Sequence, residues 1–364
     1  MRFSWTLSRY FAKNFVTWFG VFMLGVAMLI LLFDFSETMR RSASKPHITI
    51  DIVTQMVLLQ LPYLLQKLLP FIMLFSSMFA LWRLNRTNEI VVSKAAGVSI
   101  WQLLIPLIGS ACLIGLLNVT VFDSITASMM TKYRSLNSEY FHGNKGGIAI
   151  SNGGIWLRQV DGKNAYVIRI GQVSLEKKQM YDINVIVLDQ NDKFLTRFDA
   201  LGATFVPEGI KLRDVWQTTA NQQPEYHEQL SLKSELSLKH IQDNHSPPET
   251  MSFWKLPPYI KILDRSGLSS IRYEMHWQTI LSNVLLFIGM ILLAATCSLK
   301  PIRQGGTVLL VALGTAMGFI VYIMRDVTIA LGQSSYLPVT MAAWAPAMIA
   351  TLVGLGILIH QEDS

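Results

Sequence analysis

A short charged segment, RLNRTNEIVVSKAAGVS, runs from Arg83 to Ser99 between two long apolar stretches. Its charged residues are Arg83, Arg86, Glu89 and Lys94. Its apolar residues could form the opposite side of a helix that stops at Gly97, namely Ile90, Val91, Val92, Ala95 and Ala96. The pattern predicts either a helix that rests on lipid headgroups or a coupling helix that docks on a separate motor. Glu89 favours the second interpretation, because a face that only contacts lipid gains little from an acid.

Three other basic residues could bind an anion. Arg40 and Arg41 lie in FDFSETMRRSASK, directly after the first apolar run, and arginine can donate paired hydrogen bonds to a phosphate. Glu37 is one helical turn before Arg41, so we expect these two side chains to pair. Lys67 interrupts the second apolar run, where a charge should face a cavity or a partner; it is either a structural lysine or a substrate contact.

Sequence motifs for catalysis are absent. The chain contains no G-x-x-x-x-G-K-[ST], H-E-x-x-H or G-x-S-x-G pattern, and its seven histidines have no metal-ligand spacing. The net charge of +7 comes mostly from the flanks of the apolar runs, so it needs no nucleic-acid partner. We predict a chain without catalytic residues, metal ligands or a nucleotide site of its own.

The composition is that of a membrane protein, because 51% of residues are hydrophobic and 15% are charged, whereas soluble domains carry about 25% charged residues. Six apolar runs approach or exceed the roughly 20 residues that a transmembrane helix needs. They are Asn14–Phe33, Ile52–Trp82, Ala95–Phe122, Met275–Leu299, Gln304–Met324 and Pro338–Ile359. The prediction is an α-helical membrane protein with six transmembrane helices in a 3 + 3 arrangement.

Orientation follows from the lysines and arginines in the short flanks. With the N-terminus inside, the inner flanks hold eight of these bases and the outer flanks four. Both termini are therefore predicted to be cytoplasmic, and the long insertion between the third and fourth spans to be outside.

The insertion changes character between residues 146 and 239, where short segments rich in β-branched and aromatic residues alternate with turn residues. This pattern predicts an inserted all-β, jelly-roll-like domain. The predicted divisions are residues 1–122 with a coupling helix near 83–97, the outer β domain at 123–250, a linker with a short helix at 251–275, and 276–364.

Together, the 3 + β + 3 layout and the segment R-x-x-E-[IL]-V-V-x-x-A-x-G, which here runs from Arg86 to Gly97, resemble the lipopolysaccharide export permeases, the LptF/LptG family. The similarity covers essentially the whole chain. The ETMRRS extension after the first span and RYEMHW before the fourth are more similar to the LptG branch.

This resemblance implies half of an ABC-type exporter in the inner membrane of a Gram-negative bacterium. Its partners would be an LptF-like permease in a heterodimer, an LptB-like ATPase dimer that binds the ATP and magnesium, and an LptC-like membrane protein. Lipopolysaccharide would enter from the outer leaflet and leave through periplasmic β domains to an LptA bridge, in service of outer membrane biogenesis. This chain itself would hold no cofactor.

Site residues follow from the resemblance and from the charges. Glu89 matches the acid of the coupling helix, with Arg86 and Arg83 beside it, and Arg40 and Arg41 match a basic pair that contacts the lipid. Lys67 is added as a substrate-binding candidate. Asp34 stands where LptG proteins often have a further base, so the anion site departs from the family pattern.

Three alternatives remain. One is the LptF-type half of the same exporter, and another is a mechanotransmitting membrane subunit that moves no lipid itself. The third, an intramembrane enzyme, would need a cluster of acids or nucleophiles within the spans, which Lys67 alone does not make.

Overall fold

The computed structural model describes residues 5–43, 48–142, 148–151, 154–161, 164–174, 179–189, 193–206, 209–219, 223–233, 247–265, 269–299 and 307–362. Four of the bases used to predict orientation lie outside these residues, namely Arg2, Lys45, Lys300 and Arg303. The chain divides into two compact units. The helical unit comprises Met1–Leu136, Glu249–Trp254 and Glu274–Ser364, and the β unit comprises Asn137–Pro248 and Lys255–Tyr273.

Long helices dominate the described chain. In chain order the helices are α1 (Trp5–Ser42), α2 (Ile50–Arg86), α3 (Glu89–Ala95), α4 (Ile100–Leu117), α5 (Asp123–Asn137), α6 (Leu256–Arg265), α7 (Ile271–Ser298), α8 (Thr307–Gln333) and α9 (Val339–Glu362). A π-helical turn, Asn118–Phe122, joins α4 to α5. Among the described residues, six continuous helices are long and apolar enough to cross a membrane, three before the inserted strands and three after, as predicted.

The third of these helices is longer than its apolar run. It continues from Ile100 to Phe141, 42 residues in all, past the predicted domain boundary at 123. Only the apolar part of a helix is limited by the hydrocarbon thickness, and α5 goes on because Thr126, Ala127 and Met130 bury one side of it. The charged residues after Phe122 marked the end of the apolar run and not the end of the helix.

In the helical unit, α7 and α9 pack closely against each other. Gly289 and Gly354 let these two helices approach closely, since a Cβ on Gly289 would lie 3.0 Å from the Thr351 backbone nitrogen. A Cβ on Gly354 would lie 2.7 Å from the Leu292 Cβ. Small residues at such contacts are typical of helix packing in membranes. A larger side chain at either glycine would push the helices apart.

The β unit is a single antiparallel sheet within the described residues. Its strands are β1 (Ile148–Ser151), β2 (Gly154–Asp161), β3 (Asn164–Ser174), β4 (Gln179–Asp189), β5 (Phe194–Val206), β6 (Gly209–Thr219) and β7 (Glu225–Lys233). They are hydrogen-bonded in sequence order, β1 to β7. The inserted domain is therefore β-structured as predicted. Its described strands follow an up-and-down order, because the short connections between them join antiparallel neighbours.

One row of facing residues interrupts the regular strand pairing across the sheet, and the pairing register is the same on both sides of it. The residues of this row, one in each successive strand, are Gly171, Asp182, Leu201, Asp214 and Glu228. Asp182 and Asp214 have positive φ angles of 52° and 55°. As a result, buried residues on the two sides of the row are three positions apart instead of two, as in Met180 and Ile183 or Leu212 and Val215. Strict period-two alternation is interrupted here, which the sequence pattern did not predict.

Two side-chain contacts, one in each unit, join segments of the chain. In the β unit, the Tyr226 hydroxyl donates to Asp214 Oδ1 at 2.9 Å, and this hydrogen bond raises the pKa of Tyr226. In the helical unit, the buried Asp123 carboxylate accepts hydrogen bonds from the Phe253 backbone N–H at 2.6 Å and from Gln66 Nε2 at 3.5 Å. Asp123 therefore fastens the returning segment 249–254 to the third span.

Candidate functional site

The predicted coupling segment folds as a two-turn helix with a defined start and stop. Asn88, with φ 60°, separates α2 from α3. At the other end Gly97 has φ 83°, its N–H donates to the Lys94 carbonyl at 2.9 Å, and the Val98 N–H donates to the Ser93 carbonyl at 3.1 Å. This is a Schellman motif, which needs a left-handed residue and so favours glycine. The predicted stop at Gly97 is confirmed.

The faces of α3 differ from the prediction. Ile90 is 2% exposed and packs into the core of the helical unit. Val91 and Val92 are 55% and 66% exposed. Together with the exposed Ala95 and Ala96 they form what we call the apolar patch of α3. The apolar residues were predicted to share one side, which was wrong for Ile90, because seven residues make two turns and Ile90 occupies the side that meets the bundle.

Glu89 is half-buried and bonded within the chain. Its Oε1 accepts a hydrogen bond from Thr87 Oγ1 at 2.9 Å, and its carboxylate accepts a second from the Tyr10 hydroxyl. Tyr10 belongs to α1, so this contact joins α1 to the start of α3. A carboxylate has about four acceptor positions, so these two bonds leave Glu89 able to accept a base from a partner.

Arg83 and Arg86 lie at the end of α2 and face aromatic rings. The Arg83 guanidinium lies 5.6 Å from the centre of the Trp18 ring on α1. The Arg86 guanidinium lies 5.3 Å from the centre of the Trp82 ring. Both arginines are exposed, and contacts of this kind contribute about 0.5–1 kcal/mol at exposed sites. Arg83 therefore stabilises the contact between α1 and the end of α2 beside α3, and Arg86 packs on a ring of α2 itself. Tyr10 and Trp18 had no sequence signal, because only the fold brings α1 to the end of α2.

An apolar groove runs between α1 and α2, with a volume of about 500 Å³. Its apolar lining is Val26, Leu29, Ile30, Phe33, Leu64 and Leu68. Asp34 and Glu37 line it as well, one to two turns before the predicted basic pair. The groove thus joins an alkyl-lined surface to a charged end of α1.

The charged end of α1 contains two acids and two bases. Arg40 donates to both carboxylate oxygens of Glu37, with both distances 2.9 Å. Glu37 was expected to pair with Arg41; its hydrogen bonds come from Arg40 at the i,i+3 spacing, and Arg41 acts on it through charge alone. Arg41 also interacts with Asp34 and with the Tyr133 hydroxyl. The two acids balance the two bases, so an incoming anion must compete with contacts inside the chain.

Lys67 is exposed on α2, one turn from Leu64 and next to Leu68. It makes no ion pair with the described residues and is not part of the groove lining. Arg40 and Arg41 do not line the groove either, but they interact with Glu37 and Asp34, which do line it. Arg40 and Arg41 lie at the end of α1, whereas Lys67 lies near the middle of α2, so neither set is next to α3 in the chain.

Comparison with known proteins agrees with this architecture. The family described as lipopolysaccharide export system permease LptF/LptG matches residues 9–360. The chain is also 20% identical, over 370 residues, to the lipopolysaccharide export system permease protein LptG of Escherichia coli strain K12 and to that of Escherichia coli O6:H1 strain CFT073. Each comparison covers 98% of this chain and 98% of the relative. With a match of nearly full length and six candidate spans around an inserted β domain, the chain belongs to the lipopolysaccharide export system permease family LptF/LptG.

Proposed function

We propose that this chain is the LptG-type half of an exporter that extracts lipopolysaccharide from the outer leaflet of the inner membrane. The movement would be driven by ATP hydrolysed in a partner subunit. Family membership supports the transported substrate, and the two LptG relatives support the choice of LptG over LptF. The partners would be an LptF-like permease, an LptB-like ATPase dimer carrying ATP and magnesium, and an LptC-like membrane protein.

The observation that carries the proposal is the apolar patch of α3. A helix that rested on lipid headgroups would bury its apolar side in the membrane and extend its bases sideways. Here Arg83 and Arg86 are stacked on tryptophans instead, while Val91 and Val92 project from the bundle beside Glu89. An exposed apolar patch with charges at its rim is typical of a docking surface. We propose that it enters a groove of the ATPase, with Glu89 pairing with a base there and Arg83 and Arg86 stabilising the end of α2.

Orientation enters as part of the proposal. The excess of bases near the α3 end supports a cytoplasmic location for α3 and for both termini. The β unit would then be periplasmic, where β1 and β7 each pair with a single described strand. A sheet edge of this kind can be extended by a strand from the next protein, which would provide a path to the LptC-like partner and the LptA bridge.

The groove between α1 and α2 is proposed as the entry surface for acyl chains. Its alkyl lining suits a lipid tail, and the charged end of α1 suits a phosphorylated headgroup. Arg40 and Arg41 would bind phosphate after exchanging contacts with Glu37 and Asp34. Lys67 remains a proposed substrate contact from a neighbouring position on α2.

Purification from native membranes in mild detergent, followed by mass spectrometry, tests the assembly. We expect a soluble ATPase and a second six-span relative to accompany this chain. The purified complex, placed in vesicles loaded with lipopolysaccharide, should release the lipid to a soluble acceptor only with ATP. A chain that is recovered alone, under conditions that keep other ABC complexes whole, would contradict the motor interaction. ATP hydrolysis without lipid release would favour a mechanotransmitting subunit instead.

A further inference from the structure

The last turn of α9 meets the first turn of α4, directly after the α3 segment. Ser99 Oγ donates to Glu362 Oε1 at 3.2 Å, and Trp101 Nε1 donates to Glu362 Oε2. Ser99 also caps α4, because its Oγ accepts from the Trp101 backbone N–H at 3.2 Å. The Glu362 carboxylate therefore binds both the N-cap residue Ser99 and the first turn of α4.

This arrangement suits an acid for two reasons. Hydrogen bonds to an ionised carboxylate are about twice as strong as neutral ones. A negative charge at the N-terminal end of a helix such as α4 is also stabilised by the unpaired backbone N–H groups. Glu362 is exposed, so the contact contributes little to the stability of the fold.

The same turn of α9 is fastened to α7. Gln361 Nε2 donates to the Thr296 carbonyl at 3.2 Å, and Asn85 Nδ2 of α2 donates to the Ser298 carbonyl at 3.0 Å. The residues between α3 and α4 number only four, from Ala96 to Ser99, and two of their N–H groups are used by the Schellman motif. Because this connection is short and hydrogen-bonded, a movement of α3 would displace Ser99. The displacement would then be transmitted through Glu362 to α9 and α7.

We propose that Glu362 is a positioning residue that links the motor-docking segment of the first three spans to the last three spans. This inference rests on the proposed function and adds a route to it. The carboxylate would couple the movement of α9 to that of α4 during each ATP cycle. Without it, α3 would still dock and the motor would still hydrolyse ATP, but the two halves of the chain would move less tightly together.

The test uses the complete complex in vesicles and measures two rates, ATP hydrolysis and lipopolysaccharide release. The variants are Glu362→Ala, which removes both hydrogen bonds, and Trp101→Phe, which removes one donor and keeps an aromatic ring. Glu362→Asp retains the charge on a shorter side chain. The matched controls are Glu139→Gln, an exposed acid far along the chain, and Trp5→Phe, an exposed tryptophan.

We expect Glu362→Ala and Trp101→Phe each to lower the lipid released per ATP by about three- to ten-fold, the range that corresponds to the net contribution of one typical hydrogen bond. The double variant should be no worse than Glu362→Ala, because the hydrogen bond that Trp101→Phe removes is already lost in Glu362→Ala. Glu362→Asp should recover part of the ratio, and the controls should leave it unchanged.

An unchanged ratio in Glu362→Ala and Trp101→Phe would overturn the inference, as would a parallel fall of hydrolysis and release. If Glu362→Ala prevents assembly, the milder Trp101→Phe decides by the same ratio. A wild-type complex that hydrolyses ATP but releases no lipid would instead reject the proposed function, so the two failures are distinguishable.

Discussion

Ile90 is the residue that attaches the coupling helix to the bundle, so its truncation should loosen α3 selectively. It is 2% exposed and is the one residue of α3 that is buried. Helices shorter than about 12 residues are marginal without packing, and α3 has 7. Ile90→Ala should therefore detach the helix before it affects the membrane spans.

The size of the effect follows from the burial of Ile90. Replacing a fully buried isoleucine with alanine costs about 2–5 kcal/mol. We expect the lower end, about 2 kcal/mol, because a two-turn helix can shift to close the cavity. At about 1.4 kcal/mol per factor of ten, the detached population should rise roughly 30-fold.

Amide hydrogen exchange of the permease without its motor measures this change directly. In Ile90→Ala we expect faster exchange of the backbone N–H groups of residues 92–98, with unchanged protection in α7. Val92→Ala is the matched control, because Val92 is 66% exposed and contributes to the apolar patch of α3 and not to its attachment. It should leave exchange unchanged but weaken binding of the ATPase. Unaltered protection in Ile90→Ala, or equal loss in both variants, would refute the reasoning.

Three further predictions concern single side chains. Glu89→Arg should abolish ATP-driven lipid release, since it reverses the charge offered to the motor, whereas Tyr10→Phe removes only an internal hydrogen bond and should keep most of the activity; equal loss in both would assign Glu89 an internal role. Glu37→Gln should release the Arg40 fork and increase photocrosslinking of lipopolysaccharide at this end of α1, while Arg40→Asp combined with Arg41→Asp should decrease it with the complex still assembled; unchanged crosslinking in both would argue against the anion site. Gly97→Val should destabilise the end of α3 by about 1–2 kcal/mol, because a β-branched residue disfavours φ 83° although no atom lies within 4 Å of the added Cβ; exchange at Val98 as slow as in the wild type would contradict this.

Much of the architecture is determined by local sequence. The length of an apolar run decides whether a helix can cross the hydrocarbon core, so the six spans could be counted without a structure. The antiparallel strands are likewise local, because two to five residues between strands permit only hairpins. The stop at Gly97 depends on a single residue that tolerates a left-handed backbone.

Other features depend on contacts between distant segments, and only the tertiary structure decided them. Ile90 turned inward because the apolar core of the helical unit buries it, which leaves Val91 and Val92 outside. Glu89 acquired Tyr10, and Ser99 acquired Glu362, from residues 79 and 263 positions away in the chain. Charge and periodicity identify which residues can make such contacts, but the choice of partner follows from helix packing, which brings together residues that have no local relation in the sequence.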